Sequence, residues 1–130
     1  DRSKELRTYR VDRMKKVSAI DEPREGHKAF AAVDLKSYTK RVFSMFSGKP
    51  ERLTICFANF LLDTVIERFG MKDVQYSQMD DTHFTATTEV EISNQFYGWI
   101  CGFGNDAKIL LPKSAVLGFT EYIDKIRNSY

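Results

Sequence analysis

The middle of the chain alternates between apolar and polar residues over residues 53–57, with every second side chain apolar. A period of two predicts a strand. After Asn59 the apolar residues recur every three or four positions as far as Gly70. This spacing predicts a helix that begins with Asn59 as its N-cap and ends at the glycine.

Two more alternating runs, residues 74–79 and 84–92, flank the polar sequence Asp80-Asp81-Thr82. Strand-like runs joined by so short a polar connection predict a β-hairpin. In the second run the even-numbered residues are expected to face the core. The odd-numbered residues, which include two glutamates, are expected to face solvent.

Three further helices and one strand follow from the same patterns. Asp34 is predicted to cap a helix over residues 34–47, and Asn94 a short helix that ends at Gly104. Residues 107–111 are predicted to form a short apolar strand, and Pro112 to begin a helix over residues 113–127. The last helix carries an apolar stripe made of Phe119, Tyr122, Ile123 and Ile126.

The order of elements from residue 51 to 111 is β-α-β-β-α-β. This order predicts an α+β fold of the ferredoxin-like, split βαβ type, with an antiparallel sheet and both helices on one face. Right-handed crossovers place the first and third strands in the middle. The flanking helices, 34–47 and 113–127, would then dock on a sheet edge, on the open face or on another subunit.

The first 28 residues differ in charge from the rest. They hold nine Lys and Arg against six Asp and Glu, whereas the remaining residues hold eleven against twelve. Residues 6–20 partly alternate, which predicts a single strand with Arg7, Tyr9 and Arg13 on one face. A lone strand must pair with others to be stable. We expect those partner strands to lie outside this sequence.

The boundary between the two parts is predicted at residues 21–28. This stretch contains Pro and Gly and has no apolar periodicity. We therefore expect residues 1–28 to be the last strand and linker of another domain. Residues 29–130 are expected to form one domain of their own.

Composition is typical of a globular protein, with 42% hydrophobic and 29% charged residues. The formal net charge of +2 is too small for a protein that coats DNA by charge alone. No apolar run approaches the roughly 20 residues of a membrane span, and no signal-peptide pattern opens the sequence. A cytoplasmic location is expected. Cys56 and Cys101 lie within apolar patterns and are expected to be buried free thiols.

Few residues point to catalysis or metal binding. Glu89 and Glu91 share a predicted strand face at a separation of roughly 6–7 Å, but they continue its polar side and are expected to be solvated. The two histidines, His27 and His83, do not stand at zinc-ligand spacing with each other or with the cysteines. We therefore expect no catalytic residues, no metal, no cofactor and no enzyme activity.

A glycine-rich stretch, residues 102–106, follows a predicted helix and precedes a predicted strand. Phosphate-binding loops have the opposite order, because their amides lie at the N-terminus of the following helix. These glycines are therefore expected to end a helix and form a turn.

The strongest candidate for binding is the basic N-terminal segment with Arg7, Tyr9, Arg10 and Arg13. Guanidinium groups bind phosphate through paired hydrogen bonds, and an aromatic ring offers a stacking face. This combination suits single-stranded nucleic acid or another anionic ligand. From the pattern alone, a solvated edge strand with salt bridges explains it equally well.

Several stretches resemble a known family. Residues 6–14, Leu-Arg-Thr-Tyr-Arg-Val-Asp-Arg-Met, resemble the closing strand of the WYL domain. The rest resembles WCX, the extension that commonly follows WYL. The matching stretches are residues 43–48, 67–70, 96–104 and 107–112. The order of tryptophan, glycines and proline in the last two is the most specific part.

The resemblance implies a bacterial transcriptional regulator with an N-terminal winged helix-turn-helix, then WYL, then WCX. WYL domains are SH3/Sm-like barrels with a basic ligand site that in some members binds single-stranded DNA as an effector, and WCX is ferredoxin-like. The resemblance thus implies a homodimer that binds operator DNA through a domain absent from this sequence. It assigns effector binding to Arg7, Tyr9 and Arg13, and less strongly to Arg10, which faces the other way on the strand.

Two other functions fit a ferredoxin-like domain. One is a small-molecule-binding regulatory or enzymatic domain unrelated to transcription, as in acyl-phosphate hydrolases. That chemistry requires an arginine in the loop after the first strand, and residues 57–60 contain none. The other is a purely structural dimerisation module.

Overall fold

The computed structural model describes Tyr9, residues 11–35 and residues 48–130. The chain divides into two compact units, residues 1–38 and 39–130. Most of the predicted helix over residues 34–47 lies outside the described residues, as do Arg7 and Arg10.

The described part of the N-terminal unit contains little regular structure. Val11–Arg13 form a 3₁₀ turn, and a five-residue helix, α1 (His27–Ala31), follows Gly26. Residues 11–20 are exposed and contain no strand, so the strand predicted over residues 6–20 is not found where that segment is described. The physical reason is that a strand forms its hydrogen bonds with a neighbouring strand.

The C-terminal unit is a four-stranded antiparallel sheet with helices. Its elements are β1 (Lys49–Ala58), α2 (Leu62–Phe69), β2 (Gln75–Gln78), β3 (His83–Ile92), α3 (Asn94–Cys101), β4 (Ala107–Leu111) and α4 (Lys113–Arg127). The strand order is β2-β3-β1-β4, and every neighbouring pair is antiparallel. β1 and β3 therefore lie in the middle, where the sequence predicts them.

The core lies on one face of the sheet. β1 pairs with β3 over ten residues, which places Leu53, Ile55 and Phe57 beside the even-numbered residues of β3. Val65 of α2, and side chains of α3 and α4, belong to the same buried cluster. The three helices thus cover this face. Each fully buried large apolar side chain contributes about 1.5–3 kcal/mol.

Two helix starts differ from the prediction. Asn59 begins a 3₁₀ turn, Asn59–Leu61, and its side-chain amide donates a hydrogen bond to the Asp81 carbonyl at 3.0 Å. Ser93, not Asn94, caps α3, and its hydroxyl accepts the Phe96 N–H at 3.2 Å. The extended backbone of Ser93 is the conformation that an N-cap requires.

Glu91 is buried and not solvated as the alternation predicts, with 9% of its surface exposed. Its carboxylate accepts the Gly48 N–H at 3.0 Å. A Cβ on Gly48 would overlap the Ile92 carbonyl, so glycine lets the backbone approach the end of β3 closely. Glu89, by contrast, is exposed as predicted.

Both cysteines are free thiols, as predicted, but only one of them is buried. Cys56 lies in the central strand β1, whereas Cys101 is exposed at the last residue of α3. The residue before it, Ile100, is directed into the core. Because successive helical residues point about 100° apart, Cys101 is directed away from it.

Candidate functional site

The predicted basic site is described only in part. Tyr9 is 65% exposed, and Arg13 is exposed in the 3₁₀ turn. Arg7 and Arg10 lie outside the described residues. Whether the four side chains act together stays a prediction.

The aromatic run in α3 has a structural role. The Trp99 ring meets the rings of Phe57, Phe69 and Phe103 edge-on, with centroids 6.0, 5.5 and 4.8 Å away. Edge-to-face pairs at this range stabilise by about 0.5–1.5 kcal/mol beyond the area they bury. Trp99 therefore connects α3 to β1 and α2.

A groove of about 400 Å³ lies between α3 and α4. Asn94 and Tyr97 line it from α3, and Tyr122 and Lys125 line it from α4. The two tyrosine rings lie 5.1 Å apart at a tilt of 42°. The groove combines these two aromatic side chains with the polar and charged side chains of Asn94, Glu121 and Lys125.

Tyr97 lines this groove beside Gly118. Burial raises the pKa of Tyr97, and the nearby carboxylates of Glu51 and Glu121 raise it further. The hydroxyl therefore stays protonated at neutral pH and available as a hydrogen-bond donor. A Cβ on Gly118 would come within 2.8 Å of this hydroxyl, so the glycine makes room for it.

One side of α4 carries uncovered apolar residues. Ile123 is 40% exposed and Ile126 is 45% exposed, while Phe119, one turn earlier, is half-buried. We call Phe119, Ile123 and Ile126 the α4 stripe. Its 4-3 spacing is the one that lets two helices pack along an apolar seam.

A second cleft, of about 300 Å³, lies on the sheet face opposite the helices, at the end of the β2–β3 hairpin. Cys56, Met79, His83 and Lys108 are among the residues that line it. Burial raises the pKa of the Cys56 thiol, the Asp80 carboxylate raises it further, and Lys108 opposes the shift. A protonated thiol is a poor nucleophile, so this cleft lacks an activated cysteine.

Asp80 and His83 organise this hairpin. The Asp80 carboxylate accepts hydrogen bonds from the backbone N–H groups of Thr82 and His83 at 2.8 and 2.7 Å. The Thr82 hydroxyl and the His83 Nδ1 lie 3.0 and 3.1 Å from the same oxygen. The pair therefore fixes the turn.

Metal-binding clusters and membrane-spanning helices are both absent from the described part of the chain. Across the described ranges, no three His, Cys, Asp or Glu side chains are placed to hold a metal ion. None of the helices in the described part of the chain is both long enough and apolar enough to cross a lipid bilayer.

Sequence patterns did not reveal the groove or the second cleft. Their residues come from elements far apart in the sequence, such as Tyr97 and Tyr122, or Cys56 and Lys108. The sequence feature that points towards the groove is the pair Glu121 and Lys125, two opposite charges four residues apart on the last predicted helix.

Comparison with known families identifies this small α+β module. The WCX domain matches residues 49–126, from the start of β1 almost to the end of α4. The chain belongs to the WCX domain family, a domain associated with WYL-type transcriptional regulators. No curated protein matches the chain.

Proposed function

We propose that this chain is the C-terminal effector-sensing and dimerisation region of a bacterial WYL-type transcriptional regulator. The observation that carries the proposal is the WCX match over residues 49–126. The resemblance of residues 6–14 to the closing WYL strand supports it. The chain performs no catalysis in this proposal.

The fold of the C-terminal unit in this proposal is ferredoxin-like. The strand order β2-β3-β1-β4 and the shared buried cluster of α2 and α3 support it. The split βαβ connection produces this arrangement when both crossovers are right-handed.

The effector binds through the basic segment with Arg7, Tyr9 and Arg13, with a smaller contribution from Arg10. Guanidinium groups and an aromatic ring suit an anionic effector, such as single-stranded nucleic acid. Effector binding then changes the packing of the WCX module in a dimer, and helix-turn-helix domains outside this sequence respond on operator DNA. Such a switch requires that the effector bind two dimer geometries with different affinity.

Replacing Arg7 tests the effector site. Arg7→Ala in the full-length regulator is expected to weaken binding of a single-stranded oligonucleotide. The substitution is also expected to make the negative slope of log K against log salt about 0.7 less steep, because one phosphate contact is lost. Arg24→Ala, in the linker, serves as the matched control and leaves the slope unchanged. An unchanged slope in the Arg7 variant would remove Arg7 from the site.

For dimerisation we propose the α4 stripe, with a second copy of the chain as its partner. A two-fold axis between antiparallel helices brings Ile123 of one copy against Ile126 of the other, so the stripe is complementary to itself. The charges beside it, Asp124 and Arg127, are already paired with each other at 3.1 Å. The seam therefore buries no unpaired charge from this pair.

Light scattering on the chain tests whether a second copy binds the α4 stripe. The native chain is expected to be dimeric, and Ile123→Arg is expected to shift it to monomer because the seam cannot bury a guanidinium. Leu117→Arg is the control, since Leu117 is 60% exposed and lies roughly 120° around the same helix. A monomeric native chain, or a dimer that tolerates arginine at Ile123, would overturn the assignment.

A further inference from the structure

We propose that the groove between α3 and α4 binds a free aromatic amino acid, by recognising both charges of its zwitterion. Glu121 would bind the ammonium group and Lys125 the carboxylate, while Tyr97 and Tyr122 contact the ring. This site lies in the WCX module, apart from the basic segment, and does not depend on the proposed regulatory role.

The two charges in the groove are free to bind a ligand. Glu121 and Lys125 are one turn apart on α4, where such residues commonly pair with each other. Here, among the residues that the structure describes, neither forms an ion pair. Their opposite signs on one groove match a ligand that carries an ammonium and a carboxylate on the same carbon.

Three polar side chains that line the groove are also available to a ligand. Within the described ranges the side chains of Asn94, Tyr97 and Tyr122 make no hydrogen bond, although Tyr97 is half-buried. A half-buried hydroxyl without a partner loses solvation, which a ligand group can restore. These three side chains add hydrogen-bonding capacity around a zwitterion.

The groove volume and its two tyrosine rings suit an aromatic side chain. The groove volume of about 400 Å³ falls within the usual range of small-ligand sites, about 300–1,000 Å³. The rings of Tyr97 and Tyr122 pack against each other with centroids 5.1 Å apart, and together they form one continuous aromatic surface in the groove. Aromatic ligands stack or meet edge-to-face with such rings.

L-Phenylalanine titrated into the full 130-residue chain, followed by amide NMR shifts, tests the proposal. Saturable shifts of residues in α3 and α4 are expected. Phenethylamine, which lacks the carboxylate, and 3-phenylpropionate, which lacks the amine, should each bind at least about tenfold more weakly, because each loses a charge-assisted contact. Equal binding of either analogue would overturn recognition of the zwitterion.

Substitutions in the groove test whether L-phenylalanine binds there. Glu121→Gln and Lys125→Gln are each expected to weaken L-phenylalanine binding at least about tenfold. Both side chains are exposed, so the fold should be retained. Glu67→Gln on α2 is the matched control and should bind like the native chain. No saturable shift, or binding unaffected by both groove variants, would overturn the proposal.

Discussion

Asp80 shows how one side chain can hold a turn in place. Its carboxylate accepts two backbone N–H groups and the Thr82 hydroxyl at the β2–β3 connection. These hydrogen bonds favour the charged form, and they lower the pKa of Asp80 from 3.8 to about 2. The hairpin is therefore tied to the ionisation of one residue.

This linkage predicts a pH dependence. Because the folded pKa of Asp80 lies below its unfolded value, its contribution is present above about pH 4 and is lost as the pH falls towards 2. Between pH 4 and pH 2 the Tm of the native chain should fall more than that of Asp80→Asn. Asp81→Asn, which changes the neighbouring carboxylate, should follow the native curve. Parallel curves for the native chain and Asp80→Asn would contradict this role.

Glu91 makes a second prediction at the residue scale. Glu91→Ala removes the acceptor of the Gly48 N–H, and an unsatisfied buried donor costs about 1–3 kcal/mol. We expect a lower urea midpoint with an unchanged m value. Glu91→Gln retains an oxygen acceptor and should lose less stability. Equal losses in the two variants would show that the charge, and not the hydrogen bond, is what stabilises.

Two glycines, one at a helix end and one inside a helix, affect stability in different ways. Gly70 ends α2 at φ +75°, and its N–H donates to the Ile66 carbonyl. Gly98 lies inside α3, where an added Cβ would meet nothing within 4 Å. One glycine is required by its backbone angle, whereas the other only weakens its helix.

Opposite effects of alanine are therefore expected at these two glycines. Gly70 has φ +75° and ψ −169°, a backbone region that is essentially restricted to glycine, so Gly70→Ala should destabilise by about 1–3 kcal/mol. Gly98→Ala should stabilise by about 0.5–1 kcal/mol, because alanine favours a helix interior. Thermal unfolding of both variants measures these two changes in stability. Effects of the same sign would contradict the assignment.

Elements with strong periodicity could be predicted from the sequence. The strand at residues 107–111 and the glycine end of α2 have the predicted positions. Periodicity predicts which side chains are buried together, because side chains on the same face of a helix or strand pack into the same core. It does not decide between adjacent capping residues, and it therefore predicts Asn94 as the cap where Ser93 caps α3. Local alternation does not predict the burial of Glu91, because its partner, Gly48, lies 43 residues away.

At the scale of the whole molecule, the described core belongs to one unit. Every buried apolar residue in the described ranges lies between Leu53 and Ala115, inside the unit of residues 39–130. The N-terminal segment contributes no buried residue from its described part. Stability should therefore reside in the C-terminal unit.

A fragment of residues 39–130 tests this. It should fold cooperatively, with a urea midpoint close to that of the full chain, because it contains this entire core. Denaturation followed by the fluorescence of Trp99 reports on the core directly. A fragment that is unfolded, or much less stable, would show that the first 38 residues support the fold.

The candidate sites were less predictable than the fold. The basic segment stands out in the sequence because Arg7, Tyr9 and Arg13 are close together along the chain. The groove does not stand out, because Tyr97 and Tyr122 become neighbours only after α3 and α4 pack. Local patterns therefore reveal sites on one segment, and sites shared between segments require the structure.

The attachment of Gly48 to the end of β3 has a mechanical consequence. The chain reaches the sheet at β1, a central strand bonded to β3 on one side and β4 on the other. A force that pulls the preceding segment along β1 would act in shear on two sets of backbone hydrogen bonds at once. The same force on an edge strand would act on one set of hydrogen bonds. A force applied at the N-terminal end of β1 would thus act on the middle of the sheet, where β1 pairs with β3 and β4.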